Sequence, residues 1–440
     1  MKNIWNTWWF RFISSVLLAW VVYIICPPCL AKEALISILI GLLLIINLQK
    51  WVLKFAMMTH IARALTGGVF IFSGFIKAND PLGFSYKLEE YFEVFKGDTG
   101  WSVFDVFAQY ALELAIFICA LEMILGFTLW IGYKVRWTLW LLLVQIIFFT
   151  FLTFYSACFN KVTHCGCFGD FIPLRAWQSF WKDIVLLFLI TILWVTQVNI
   201  RALFVPLFSH TISVIAMVVS FYIPFYAYHH LPYFDFRPYH KGANILEKMK
   251  PGKNYQPPVY ETRLKYQHLK TGEIKDFTLK DYPWQDTLTW KWVSTENILV
   301  KEAVDAPQIS DFTIKTLDEE TITDSLLNYP NYQFWVICYD LKKTNTDEET
   351  IAKLKDLQTL ASKDRVPVLF ITSSGKEEIE AFKQKTGLKS STFLNADGIV
   401  LKTMIRSNPG IILVKHATII DYWHYNDLPS YSVIKTESMR

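Results

Sequence analysis

Long apolar runs fill the first 228 residues of the chain, and shorter, finer-grained patterns take over after them. A bilayer core of ~30 Å is crossed by a helix of about 20 mostly apolar residues. Seven stretches meet that length: 8–26, 34–50, 59–78, 105–131, 136–158, 180–198 and 209–228. The second is the shortest and is interrupted by Gly41. Trp8, Trp9, Trp137, Trp177, Trp181, Tyr226 and Tyr228 crowd the ends, as an interfacial aromatic belt does. Beyond 228 the periods shorten. Residues 258–305 read as short strands, with a hairpin turn at Lys270-Thr271-Gly272-Glu273 and apolar bulk from Trp284, Trp290 and Trp292. From about 306 the pattern predicts strand 333–340, helix 347–363, strand 367–372, helix 375–386, strand 392–396, and strands 410–416 and 418–423. That order belongs to an α/β layer domain.

Charge sharpens the division. Of 82 charged side chains, 26 lie in residues 1–228 and 56 in the remainder. The apolar content of 53% excludes a disordered chain, and seven cysteines in 440 residues exclude a disulfide-dense mini-protein. A dispersed net charge of +4 gives no nucleic-acid surface. The expected architecture is an α-helical polytopic membrane domain of about seven transmembrane helices, followed by a soluble α/β domain.

Lys and Arg in the short loops orient the spans. Lys2, Arg11, Lys50, Lys54, Arg63, Lys134, Arg136 and Arg201 fall on one side, which is therefore cytoplasmic. The other side carries Lys32 beside Glu33, a loop with Asp80, Glu89, Glu90, Glu93 and Asp98, and the stretch 159–179. The N-terminus is thus expected inside and the C-terminal half outside. A competing reading of the first span is a signal peptide cleaved near Cys29-Leu30-Ala31; later orientations would not change.

Two acids, Glu113 and Glu122, fall within the fourth span, where an unpaired acid costs several kcal/mol. Nine residues turn them to opposite faces, so they are not a paired-acid site. Arg63 on the third span is predicted to pair with Glu122 and fasten the two helices.

Six of the seven cysteines lie in the membrane half, and five gather at the outer face: Cys26, Cys29, Cys158, Cys165 and Cys167. In Cys165-Gly166-Cys167-Phe168-Gly169-Asp170 the glycine gives the backbone freedom that so tight a pair needs. His164, as a cation, would favour the thiolate. The structural alternative is a Gly-rich turn whose thiols only pack. Cys158, His164, Cys165 and Cys167 are also acceptable soft metal ligands, but their spacing matches no common zinc pattern. Cys26-Pro27-Pro28-Cys29 has oxidoreductase spacing, although it closes a helix, where the dipole disfavours a thiolate. Its prolines serve equally well as a helix stop. Cys119 and Cys338 read as buried hydrophobes.

Several segments carry resemblances. The strand order after residue 306 resembles a thioredoxin-like fold, in which Asn408-Pro409 would supply the cis-proline facing the active-site thiols. Where the dithiol should follow the first strand, the chain reads Asp340-Leu341-Lys342-Lys343-Thr344-Asn345. A shape without its chemistry implies docking. Residues 63–81 (RALTGGVFIFSGFIKANDP), the Glu122-Met123-Ile124-Leu125-Gly126 step and the Cys-Gly-Cys-Phe-Gly turn resemble the DoxX/MauE group of bacterial membrane proteins. With the exit segment 231–249 and Ile405-Arg406-Ser407-Asn408-Pro409-Gly410, the resemblance covers about 59–440 and points to the larger members with a C-terminal domain. It implies a four-helix core from 59 to 198, comparable to vitamin K epoxide reductase-like proteins, and a bacterial inner-membrane location. It also implies thiol or sulfur redox work, or maturation of disulfide-rich periplasmic enzymes.

The expected organisation is 1–58, N-terminal helices with Cys-Pro-Pro-Cys; 59–228, a DoxX/MauE-like membrane domain; 229–305, a linker and small β-rich region; and 306–440, a thioredoxin-like domain lacking CxxC. The expected function is thiol–disulfide exchange at the periplasmic face by Cys165 and Cys167, tuned by His164, with Cys26 and Cys29 as exchange partner. Its partners would be the lipid bilayer and a periplasmic or membrane protein client. No cofactor motif is present; a quinone is the carrier such a scheme would use if electrons crossed the membrane. The alternative is a non-enzymatic anchor or subunit of an envelope complex. A transporter ranks third, since Gln145 and Glu113 are the main polar residues at mid-membrane.

Overall fold

A computed structural model describes residues 41, 56–159, 161–162, 166, 168–301 and 303–439. Gly41 apart, the expected spans 8–26 and 34–50 lie outside the described residues, as do Cys26 and Cys29. The chain divides into two compact units, Met1–Arg237 with Trp423–Leu428, and Pro238–Tyr422 with Pro429–Arg440.

In the first unit, five helices among the described residues are long and apolar enough to cross a membrane. They are α1 (Ala56–Asn79), α4 (Ala111–Ile131), α5 (Val135–Phe159), α6 (Ala176–Val195) and α7 (Pro206–His229). Between α1 and α4 lie α2 (Pro81–Thr99) and α3 (Val103–Gln109). The acidic stretch from Asp80 to Asp98, expected as a loop, is therefore helical. The Asp80 side chain accepts from Gly83 N at 2.9 Å, Pro81 occupies the first turn, and Gly100 in the left-handed region (φ +72°) ends the helix. Phe84, Leu88, Tyr91 and Phe92 form its buried stripe, at a spacing the acids concealed. The expected span 105–131 also breaks at Tyr110. Glu113 consequently sits exposed in the first turn of α4, where the helix dipole favours an acid, rather than at mid-membrane.

Lipid tails are as apolar as leucine, so helices there associate through close packing. Glycines provide it between α1 and α4. A Cβ on Gly126 would lie 2.7 Å from the Gly67 carbonyl oxygen, and one on Gly74 would lie 2.9 Å from the Cys119 carbonyl oxygen. Leu125 and Leu129 of α4, Leu139, Leu142 and Ile146 of α5, and Leu186, Ile190 and Leu193 of α6 build the interior with Ala62 and Phe70 of α1. After α7, the Asn79 side chain takes both backbone groups of Phe234: Nδ2 donates to O at 2.7 Å, and N donates to Oδ1 at 3.0 Å. Asp235 receives a bidentate Arg237 at 2.7 and 2.8 Å.

The second unit opens with the short helix α8 (Ile245–Lys248) and a three-stranded antiparallel sheet of order β2-β1-β3: β1 (Val259–His268), β2 (Ile274–Thr278) and β3 (Trp290–Lys301). Gly272 (φ +72°) turns the β1–β2 hairpin, and His268 N donates to Glu273 O at 2.8 Å. Trp290 packs on Phe277, with centroids 5.1 Å apart, whereas Trp284 and Trp292 are exposed. A six-stranded mixed sheet follows, in the order β4-β7-β6-β5-β8-β9. Its strands are β4 (Ile314–Lys315), β5 (Tyr332–Cys338), β6 (Val368–Thr372), β7 (Thr392–Ala396), β8 (Gly410–Lys415) and β9 (Thr418–His424). The helices between them are α9 (Thr323–Leu327), α10 (Glu348–Lys363), α11 (Lys376–Thr386) and α12 (Gly398–Met404), and α13 (Tyr431–Glu437) closes the chain. β5, β6 and β7 are parallel, and β8 returns antiparallel to β5. Phe334 through Cys338 are fully buried, as a central strand covered on both faces requires. The chain is a membrane domain followed by an α/β domain.

Candidate functional site

The turn after α5 is assembled from the end of that helix onward. Ser156 Oγ donates to the Val162 carbonyl, folding the chain back as it leaves the helix. Lys161 and Tyr155 both donate to Asp98 at the end of α2, and the Lys161 bond leads in holding that carboxyl below its usual range. Gly166 and Gly169 adopt left-handed backbone (φ +64° and +49°), and Gly169 N donates to Gly166 O at 3.2 Å. A Cβ at Gly166 would meet the Lys87 side chain at 3.3 Å, so this part of the turn lies against α2. Phe168 packs on Phe72 with centroids 5.7 Å apart, and Lys182 Nζ lies 5.1 Å from the Phe168 centroid.

His164, Cys165 and Cys167 lie outside the described residues. Cys158, in the last turn of α5, is disulfide-bonded, and its partner lies outside them too. It was missing from the reactive set read from sequence, although its place seven residues before Cys165 was the available signal. Cys119 and Cys338 are free and buried. Burial pushes the Cys338 thiol up to about 12, which leaves almost no thiolate near neutral pH. Among the described residues, no group of three or more His, Cys, Asp or Glu side chains is placed to hold a metal ion.

Deeper in the helices the ion pairing differs from the expected one. Glu122 does not pair with Arg63. Its Oε1 accepts from Lys77 Nζ at 2.5 Å, with both side chains almost fully buried. Helical side chains lean toward the N-terminus, so the long Lys77 chain runs back from the end of α1 to the level of Glu122. Its ammonium also lies 4.1 Å from the Phe149 centroid. Arg63 instead donates to carbonyl oxygens at the C-terminus of α4 and beyond: Leu129 at 2.9 Å, Trp130 at 2.5 Å and Arg201 at 3.2 Å. The Leu129 carbonyl also takes the Gly132 N–H at 3.1 Å, and the guanidinium gathers it with the carbonyls around the end of α4. Asp183, 1% exposed, accepts from Thr153 Oγ1 at 3.0 Å and lies 2.8 Å from Lys182 Nζ. Lys77, Lys182 and Asp183 escaped the sequence reading because each lies near the end of a span, where charge is ordinary.

In the α/β domain the Asn408–Pro409 peptide is cis. Asn408 is spent on the loop after β5. Its Nδ2 donates to Asp340 O at 2.9 Å, its Oδ1 accepts from Thr344 Oγ1 at 2.9 Å, and its carbonyl oxygen accepts from Asn345 N at 2.9 Å. Residues 340–345 hold no cysteine.

Comparison with known families gives two matches. Residues 50–196 match the family model described as methylamine utilisation protein MauE, and residues 260–302 match a domain of unknown function (DUF8463). Comparison with curated proteins and with solved structures finds no match. The matched segment runs through α1, α4, α5 and α6, together with the turn after α5. The membrane region of this chain, residues 50–196, is similar to the MauE family.

Proposed function

We propose that the protein carries out thiol–disulfide exchange at the outer face of a bacterial inner membrane, in support of the maturation of a partner protein. The observation that carries this reading is the disulfide at Cys158, which is oxidised within a few residues of the Cys-Gly-Cys turn. Disulfides belong to oxidising compartments, in agreement with the loop charges that put this face outside. Cys165 and Cys167 are the reactive pair, His164 favours the thiolate, and Cys26 and Cys29 are exchange partners. Cys158 joins the set. In each step a client thiolate attacks one sulfur of a disulfide, a mixed S–S bond forms, and the second sulfur leaves as thiolate. A second client thiolate then releases the oxidised client and leaves the pair reduced. The family's printed description points to methylamine utilisation, and a maturation role for this chain agrees with it. The α/β domain is thioredoxin-like without a dithiol and docks the client.

One observation favours a second reading, a non-enzymatic anchor of an envelope complex. The loop that would carry a dithiol is tied to Asn408, and the single cysteine of the domain is inert. Thiol trapping in intact cells separates the two. Cells are acid-quenched, alkylated with a mass-tagged maleimide and analysed by peptide mass spectrometry, with and without a periplasmic oxidant. Exchange predicts that Cys158, Cys165, Cys167, Cys26 or Cys29 changes state with the oxidant. Fixed states throughout would leave the anchor.

A further inference from the structure

Lys77, Glu122, Lys182 and Asp183 surround a small cavity of about 10 Å³ in the membrane core, closed on its apolar sides by Phe149 and Leu186. Two acceptors of this cluster have no hydrogen-bond partner: Glu122 Oε2 and Asp183 Oδ1. Asp183 Oδ1 has Lys182 Nζ at 2.8 Å, but as an ion pair without hydrogen-bond alignment. Both side chains are more than nine-tenths buried. A buried carboxylate oxygen left without a donor is costly, and two on one cavity call for an occupant.

The lining dictates the chemistry of that occupant. It must donate two hydrogen bonds, since both orphan atoms only accept. A cation is opposed by the two ammonium groups, Lys77 from α1 and Lys182 from α6. An anion is opposed by the carboxylates from α4 and α6, and an apolar group would leave both acceptors unmet. The remaining polar side chain on the lining is the Ser73 hydroxyl of α1, and behind Asp183 the Thr153 hydroxyl of α5 is already committed to Asp183 Oδ2. The volume is at the lower bound for a single water.

We propose that this cavity is a binding site for one water molecule, which donates to Glu122 Oε2 and to Asp183 Oδ1. The water joins the two ion pairs into one neutral network spanning α1, α4, α5 and α6. Lys182 is its entrance: its side chain is 21% exposed while the other three are at most 3% exposed. The bound water therefore exchanges with solvent outside the protein.

The test is X-ray radiolytic labelling of the full-length protein in nanodiscs in ¹⁸O-water, which marks side chains next to bound water. Phe149 and Leu186 are expected to take up ¹⁸O several-fold faster than Phe92 and Leu152, which are similarly buried but do not line the cavity. Asp183→Leu removes one acceptor and adds apolar bulk, so the excess at Phe149 should disappear. Equal labelling of lining and control residues in the wild type overturns the site, whether or not the variant folds. So does an excess that survives Asp183→Leu.

Discussion

The two regions of this molecule bury polar groups in opposite ways. The membrane domain buries charge: Lys77 and Glu122 are 2% and 3% exposed and face each other at 2.5 Å. The α/β domain buries chiefly amides and hydroxyls, among them Asn408, Thr344 and Gln333, with Arg406 as a buried charge, and keeps ion pairs such as Lys353–Glu349 and Lys376–Asp318 at its surface. Solvent explains the contrast. A charge in the α/β domain gains hydration by moving a few ångströms outward. One placed deep between apolar helices has only its partner, because a lone ion there costs several kcal/mol. The pair is thus a poor source of net stability and a strict condition on both members.

That contrast yields the largest expected effect. Glu122→Ala strands the Lys77 ammonium and should cost about 3–5 kcal/mol, whereas exposed pairs are worth about 0.2–1 kcal/mol. Replacing both partners, Lys77→Met with Glu122→Leu, removes the stranded charge and should restore most of the loss. Reversible unfolding in mixed micelles reads both variants, with Lys353→Ala as the exposed-pair comparison. A Glu122→Ala cost no greater than that of Lys353→Ala would break the comparison.

A titratable group buried without a counter-ion takes a third course and stays neutral. His424 is 2% exposed, and its Nδ1 accepts from Asn426 N at 3.2 Å. Burial pushes its pKa down to about 3 from 6.5, and the neighbouring His230 and His229 oppose its charging. The folded value lies below the unfolded one. The contribution is therefore complete above the unfolded pKa and is lost as pH falls from about 6.5 toward about 3. His424 should add a slope of up to about 1.4 kcal/mol per pH unit in that window. Melting temperatures against pH, wild type beside His424→Gln, will show it. Parallel curves would mean that His424 titrates alike in the folded and unfolded chain.

Much of this was legible along the chain. All five described spans appear near their expected positions, since apolar length is a local signal that crossing a membrane enforces. The order from β5 to β7 was legible for a similar reason: strand and helix periods differ, and Ile351, Leu354 and Leu357 mark one face of α10, whereas the seven-residue helix α12 between β7 and β8 was too short to show a period. Partner choice was not legible. Arg63 and Glu122 are the most conspicuous opposite charges within spans, but pairing depends on side-chain direction and helix offset, which spacing does not reveal. Helix α2 was hidden because acids on its outer face masked a buried stripe of Phe84, Leu88, Tyr91 and Phe92.

The smallest effect tests the α/β side of the comparison. Asn408→Ala removes a donor to the Asp340 carbonyl and an acceptor from the Thr344 hydroxyl, in a loop whose carbonyl can turn toward water. The expected cost is about 1–2 kcal/mol in equilibrium unfolding, with faster amide exchange confined to residues 340–345. Asn408→Asp keeps the acceptor but sets a buried carboxylate oxygen against the Asp340 carbonyl, so its cost should exceed that of the alanine variant. If the domain docks a client and takes no part in exchange, neither substitution alters the oxidation state of Cys158 in cells. A change there would mean that loop 340–345 acts on the disulfide chemistry despite having no thiol of its own.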